Sequence, residues 1–235
     1  MQTKLFSAST RGHADHGWLN THHTFSFASY HDPTRVHFGA LRVLNDDLVQ
    51  PAEGFVMHPH KNMEIISIPL YGDLEHKDSM GNAGVIHAGE VQVMSAGTGV
   101  LHSEFNSSTD KPLNFFQIWV FPNQDNVEPR YQQMKFDFAT PNKLVQIVSP
   151  NPDDDGLWIY QNAWFSMGLF TKGADLIYRT KSSANGVFVM VVEGDFLLGN
   201  TALHRRDGLA VSELDELTLT PTSESARVLL MELPM

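Results

Sequence analysis

Residues 58–72 read HPHKNMEIISIPLYG, from His58 to Gly72. Two histidines separated by one residue open the stretch, Glu64 follows four residues after the second, and a branched apolar run ends at a Tyr-Gly turn. That run has the length and side chains of a strand bounded by a turn. Side chains alternate across an extended backbone, so His58 and His60 point the same way and Pro59 points the other. Proline gives no N–H to a ladder, which suits an edge strand or a strand entrance, where a ligand mouth would lie.

Working outward, MEIISIPLYGD, GEVQVMSAG, NFFQIWVFP, KLVQIVSP, GVFVMVVEGDFLLGN and ARVLLMELP are further strand-like runs bounded by Gly, Pro, Asn or Asp. Helical periodicity over a dozen residues is missing, and short strands with Gly-rich turns imply an all-β fold of antiparallel sandwich or barrel type. The 235 residues suffice for one large β domain or two ordinary ones. After Pro122 the polar stretch NQDNVEPRYQQMKFDFATPN reads as a connector, giving domains over residues 1–130 and 131–235.

A weak internal repeat joins the halves: YGDLEH with AGEVQVM from Tyr71 matches EGDFLLG with DGLAVSE from Glu193. Of the 12 histidines, all but His204 lie in the first half. Counting equal steps from Gly72 and Gly194 sets Thr180 and Ser182 opposite His58 and His60. Counting from Gly89 and Gly208 sets Pro221 and Ser223 opposite His102 and Glu104. Metal ligands are therefore expected in the first half and not in the second.

With 0 cysteines there is no disulfide framework or thiolate site, so any bound metal relies on His, Asp, Glu, carbonyl or water. A second His/carboxylate pair, His102 and Glu104, follows the Gly-rich turn in SAGTGVLHSEFN at the same spacing as His58 and His60. One His-x-His is a common chance pairing, but two such pairs on facing strands can converge on one ion. The net charge of −11, without clustered Lys or Arg, argues against nucleic-acid binding. Arg205-Arg206 reads as a solvated pair. No apolar run approaches the roughly 20 residues of a membrane span, and the first residues lack a signal-peptide pattern, so a cytoplasmic protein is expected.

His13, His16, His22, His23, His31 and His37 are irregularly spaced, and structural or solvent-facing roles are expected for them. Phe25 and Phe27 read as core. Phe55, Met57 and Ile66, near the ligands in sequence, are candidates for the wall of a substrate pocket.

HPHKNMEIISIPLYG resembles the first cupin motif and GEVQVMSAGTGVLHSEFN the second. RGHADHGWLNTHHTFSFASYHDP, LRVLND, DSMGN and FQIWVFP, matching in order, narrow the resemblance to the pirins, in particular bacterial pirin-like quercetin dioxygenases. The resemblance implies a bicupin: two antiparallel β-barrels face to face, the metal in the N-terminal one and the C-terminal one without ligands. Cupins at large would use Glu64 as the carboxylate ligand, whereas the pirin pattern implies His58, His60, His102 and Glu104. Glu64 then supports a ligating imidazole, and either carboxylate could act as base, Glu104 first. The implied metal is Fe(II), with Zn, Ni, Cu, Mn or Co able to use the same donors. The implied activity is ring opening of quercetin-like flavonols with dioxygen, releasing carbon monoxide. The alternative is a regulatory protein that binds a transcription factor or metabolic enzyme, with a structural or redox-sensing metal. A monomer is expected, since two barrels in one chain bury the faces that single cupins bury by pairing.

Overall fold

The structure, a computed structural model, describes residues 1–235. It holds 22 strands, one 3-10 turn and no α-helix, so no helix is long and apolar enough to cross a membrane. The strands are β1 (Gln2–Phe6), β2 (Gly12–Asp15), β3 (Leu19–His23), β4 (Leu41–Val49), β5 (Gly54–His60), β6 (Glu64–Tyr71), β7 (Asp73–Asp78) and β8 (Ala83–His87). They continue with β9 (Glu90–Ser95), β10 (Val100–Asn106), β11 (Leu113–Val120), β12 (Arg130–Lys135), β13 (Lys143–Ser149), β14 (Leu157–Trp158) and β15 (Trp164–Thr171). The last are β16 (Leu176–Arg179), β17 (Asn185–Glu193), β18 (Phe196–Leu198), β19 (Thr201–Leu203), β20 (Gly208–Ser212), β21 (Glu216–Pro221) and β22 (Ser225–Pro234).

The chain forms two compact units. One comprises Gly12–Phe136 with Leu157–Gln161; the other comprises Met1–Arg11, Asp137–Gly156 and Asn162–Met235. The boundary expected at residue 130 thus lies at residue 136, and two short segments belong to the unit other than the one sequence order assigns. The expected connector is not all loop, because Arg130–Lys135 pairs along β9.

In the histidine-bearing unit the sheets run β12-β9-β6-β11-β4-β3-β2 and β5-β10-β7-β8. In the other, β16-β21-β18-β19 reproduces the smaller sheet, and β1-β20-β17-β22-β15-β13 reproduces the order of the larger one. The repeat is therefore topological, and its turns share chemistry. Gly72 (φ +80°) and Gly194 (φ +71°) sit in the left-handed region, and an added Cβ would lie 2.9 Å from Leu113 Cα and 2.9 Å from Ala226 Cα respectively. Each is followed by an aspartate that accepts from a histidine Nδ1 at 2.8 Å: Asp73 from His87 and Asp195 from His204. Glycine is used because the strand opposite leaves no room and the φ disfavours any other residue.

Register corrects the counting between halves. Leu74 and Phe196 each lie two residues after the turn glycine, and they pair with Asn106 and Pro221 respectively. Stepping back along β10 and β21 sets Leu217 opposite His102 and Leu219 opposite Glu104. Tyr178, the partner of Leu217, then stands opposite His58, the partner of His102. Tyr178, Leu217 and Leu219 all lie in one buried apolar cluster with Phe170, Phe196 and Leu230. Thr180, not Ser182, stands opposite His60; equal step counts miss these positions because the hairpins differ in length.

The interior of the histidine-bearing unit is layered. One apolar cluster gathers Leu19, Val49, Leu74, Ile86, Leu113 and Phe115, and another gathers Ile65, Met94, Ala96 and Val100. Along β11 the inward residues run Leu113, Phe115, Gln117, Trp119, so Gln117 lies between the two clusters. Cross-strand pairing extends this position into a polar row: His23, Asn45, Gln117, Ser67 and Gln92, on β3, β4, β11, β6 and β9. All five are buried.

Candidate metal centre

β5 and β10 pair antiparallel with His102 opposite His58, and alternation keeps His60 on the same face as His58. The three rings meet: centroids are 4.4 Å apart for His58 and His102 and 4.9 Å for each of the other two pairs. One ring nitrogen from each lies within 4.8 Å of those from the other two. Glu104 belongs to a second group of that size with His102 and His76, so His102 is the link between the triad and the carboxylate. The register shifts between His102 and Glu104, a bulge that bends the strand beside the site. Gly54 makes the crossing possible, since a Cβ there would lie 2.3 Å from the Glu104 carbonyl oxygen and 2.5 Å from Phe105 Cα.

The electrostatics favour neutral imidazoles. Burial, with the neighbouring imidazoles, holds His102 down to about 2, and burial together with His58 holds His60 down to about 4. Neutral imidazole is the form that binds a metal. His58 Nδ1 donates to the Val56 carbonyl at 2.8 Å, which leaves its Nε2 free. Both ring nitrogens of His102 are buried without a hydrogen-bond partner. Buried polar atoms are costly unless paired, and a divalent ion shared with His58 and His60 would pair one of them. The donor set, nitrogen and carboxylate oxygen without sulfur, fits such an ion.

Glu104 is tied into the polar row. Ser67 Oγ donates to its Oε1 at 2.8 Å and Gln117 Nε2 to its Oε2 at 2.5 Å. Burial pushes its carboxyl up to about 7 against these two hydrogen bonds, which favour the ionised form. His76 is buried, stacks on Tyr131 with centroids 4.6 Å apart, and engages Asp78 through Nε2 at 3.1 Å.

Glu64 stands elsewhere. β5 ends at His60 and Asn62 adopts φ +49°, so the alternation begun at His58 does not carry into β6. Ser67 faces Glu104, which puts Glu64 on the opposite face of the sheet. There it pairs with Ser95, whose Oγ donates to it at 2.7 Å. No imidazole takes that place; Arg130 and the Tyr160 backbone favour its charge, and burial still pushes its carboxyl up to about 7.

Two members of the triad open on a cavity of about 610 Å³ whose wall includes His58, His60, Glu104 and Gln117, with Trp18, Phe27, Phe55, Val56 and Trp119 as its apolar part; His102 lies buried behind them. Of the three expected pocket residues, Phe55 is there. Met57 is 52% exposed and Ile66 is buried on the far face of β6 beside Ile118, so neither lines the cavity. The bulge on β5, where Val56 and Met57 together oppose Ser103, is what brings Phe55 inward. Phe27, expected in the core, is cavity wall and meets Trp119 edge-on with centroids 5.4 Å apart.

Asp47 and Asn45 line the cavity and were not among the expected residues. Burial pushes the Asp47 carboxyl up to about 7, with Thr21 opposing and Asp46 and Glu104 adding to the rise. Their signal was present in LRVLNDDLV, where two polar residues share one parity within a strand, as do Thr21 and His23 in LNTHH. Of the other histidines, His13 and His22 stack across β2 and β3 with centroids 4.7 Å apart, and His23 Nδ1 donates to Asn45 Oδ1 at 2.9 Å within the polar row. Arg206, expected in solvent, is buried and donates to the Val192 carbonyl at 2.8 Å.

A family model described as Pirin matches residues 6–120, and one described as Quercetinase C-terminal cupin domain matches residues 146–233. Over 230 residues the chain is 41% identical to quercetin 2,3-dioxygenase of Escherichia coli strain K12, covering 98% of both chains. The crystal structure of YhhW from Escherichia coli matches with a TM-score of 0.95 at 39% identity, over 99% of this chain and 98% of that one. That of bacterial pirin YhhW in complex with nickel(II) matches with a TM-score of 0.94 at 38% identity, over 99% of both chains. Matched in both halves and along its length, the chain belongs to the pirin family.

Proposed function

We propose that the chain is a metal-dependent dioxygenase that opens the ring of quercetin-like flavonols with dioxygen, giving a depside and carbon monoxide. His58, His60, His102 and Glu104 hold the ion, and Fe(II) is its native identity. The observation that carries this reading is the convergence of three imidazoles, His58, His60 and His102, of which the first two line an aromatic-walled cavity of about 610 Å³, within the range of small-molecule sites. The 41% identity, over 98% of both chains, to a quercetin 2,3-dioxygenase and the nickel bound by the bacterial pirin YhhW support it.

When bound, the ion supplies Lewis acidity and a template that brings substrate and oxygen together. The protein's share is placement and proton handling. Trp18, Phe27, Phe55 and Trp119 pack against a flat ring system and exclude water from it. Glu104 takes the proton of the flavonol hydroxyl at a carboxylate oxygen, a task suited to a group titrating near neutrality. Ser67 and Gln117 hold that carboxylate in place.

The test is anaerobic reconstitution with individual divalent metals, then oxygen uptake and carbon monoxide release with quercetin. Uptake with at least one metal, abolished in His102→Ala, is expected. No uptake with any metal refutes the reading.

A further inference from the structure

A second cavity of about 500 Å³ adjoins the first, and Trp18, Phe27, Asn45, Asp47 and Phe55 line both. The shared residues split by chemistry. Three are aromatic and suit a planar molecule; two are polar and come from one face of β4. Across β3 the second cavity gains Thr21, the partner of Asp47, and His23, the partner of Asn45. Thr21, His23, Asn45 and Asp47 are each under 5% exposed.

Asp47 is the unsatisfied member of this group, since its Oδ1 is buried and has no hydrogen-bond partner. A carboxylate oxygen shut away from water without a donor is costly, and no lysine or arginine lines either cavity to compensate it. What the site lacks is a hydrogen-bond donor carried on a flat ring that can lie between Trp18, Phe27 and Phe55. A phenol has that chemistry. A bare aromatic ring has the shape and no donor, and an ammonium group would bring the donor without the ring.

We infer that the second cavity is a subsite for a hydroxylated ring of the substrate, in which Asp47 Oδ1 accepts a hydrogen bond from a phenolic hydroxyl other than the one at the metal. This rests on the flavonol reading above and narrows it to polyhydroxylated flavonols. The site selects by leaving a buried acceptor unpaired when the hydroxyl is missing, a stronger discrimination than an apolar pocket achieves.

The test is calorimetric titration of the zinc-loaded protein under argon, where no turnover occurs, with quercetin and with 3-hydroxyflavone, which lacks the additional ring hydroxyls. Wild type, Asp47→Asn and Asp47→Ala are compared; Asp47→Asn keeps the shape of the side chain, and 3-hydroxyflavone affinity reports the intactness of the first cavity in each variant. Wild type is expected to prefer quercetin, and Asp47→Ala to weaken quercetin binding by about 10- to 100-fold, the loss of a buried hydrogen bond. Its 3-hydroxyflavone affinity should change less than about threefold, with Asp47→Asn intermediate for quercetin. Equal affinity of wild type for the two ligands, or a preference retained in Asp47→Ala, overturns the subsite while leaving flavonol binding intact. Binding of neither ligand by wild type overturns the flavonol reading and the subsite with it.

Discussion

Replacing Glu64 by glutamine separates a buried carboxyl from the metal centre and gives a pH signature of known sign. Burial raises this group from 4.5 to about 7 despite Ser95, the Tyr160 backbone and Arg130. Below about pH 4.5 the carboxyl is protonated in both folded and unfolded chains and contributes no pH dependence. Between 4.5 and 7 the folded chain holds a proton that the unfolded chain has lost, so stability falls as pH rises, and above 7 the penalty is constant. A rise of about 2.5 pKa units corresponds to about 3 kcal/mol at most. Glu64→Gln keeps the shape and cannot ionise, so the variant gains up to about 3 kcal/mol on wild type between pH 4.5 and 7. Urea unfolding of both chelator-treated proteins from pH 4 to 8 measures the difference as the separation of midpoints at a common slope. A difference flat with pH, or wild type gaining on the variant as pH rises, refutes the reasoning; the second result would mean that Arg130 outweighs burial. The variant should also bind its full complement of metal, since Glu64 faces away from the triad.

The carboxylate that does face the triad should respond to its supports. Gln117→Leu removes the donor to Glu104 Oε2 and is expected to weaken metal binding about 10- to 100-fold in competition with a chromogenic chelator; unchanged affinity would remove Gln117 from the account. Gly54→Ala puts a methyl group 2.3 Å from the Glu104 carbonyl oxygen. It should destabilise by about 1–3 kcal/mol and lower metal content, and a stable, fully loaded variant would show that β5 and β10 can part without disturbing the site.

What could be read from the sequence was whatever strand alternation carries locally. His58 with His60, and His102 with Glu104, each lie within one unbroken strand, so parity alone aligns each pair. Glu64, Met57 and Ile66 lie across a break or on the other parity. The turn at Asn62 resets the faces before β6, and the bulge on β5 between Phe55 and His58 admits Phe55 where strict alternation from His58 would not. Asp47, Asn45 and His23 face the cavity because β3, β4 and β11 are in register, a long-range pairing that no short window specifies. The glycines of the repeat were legible because each has a backbone opposite it that excludes a side chain. The spacing to the ligand positions was not, because Tyr178, Leu217 and Leu219 are fixed by pairing along β16 and β21 and not by distance from Gly194 or Gly208.

The central claim is that His58, His60, His102 and Glu104 hold one divalent ion. An anomalous difference map from crystals of the iron- or nickel-loaded protein tests it directly. The account predicts one peak about 2.1 Å from a nitrogen of each of the three imidazoles, at the usual metal–nitrogen distance, with a Glu104 oxygen completing the set. A peak ligated by Glu64, or an ion bound away from His102, would contradict it.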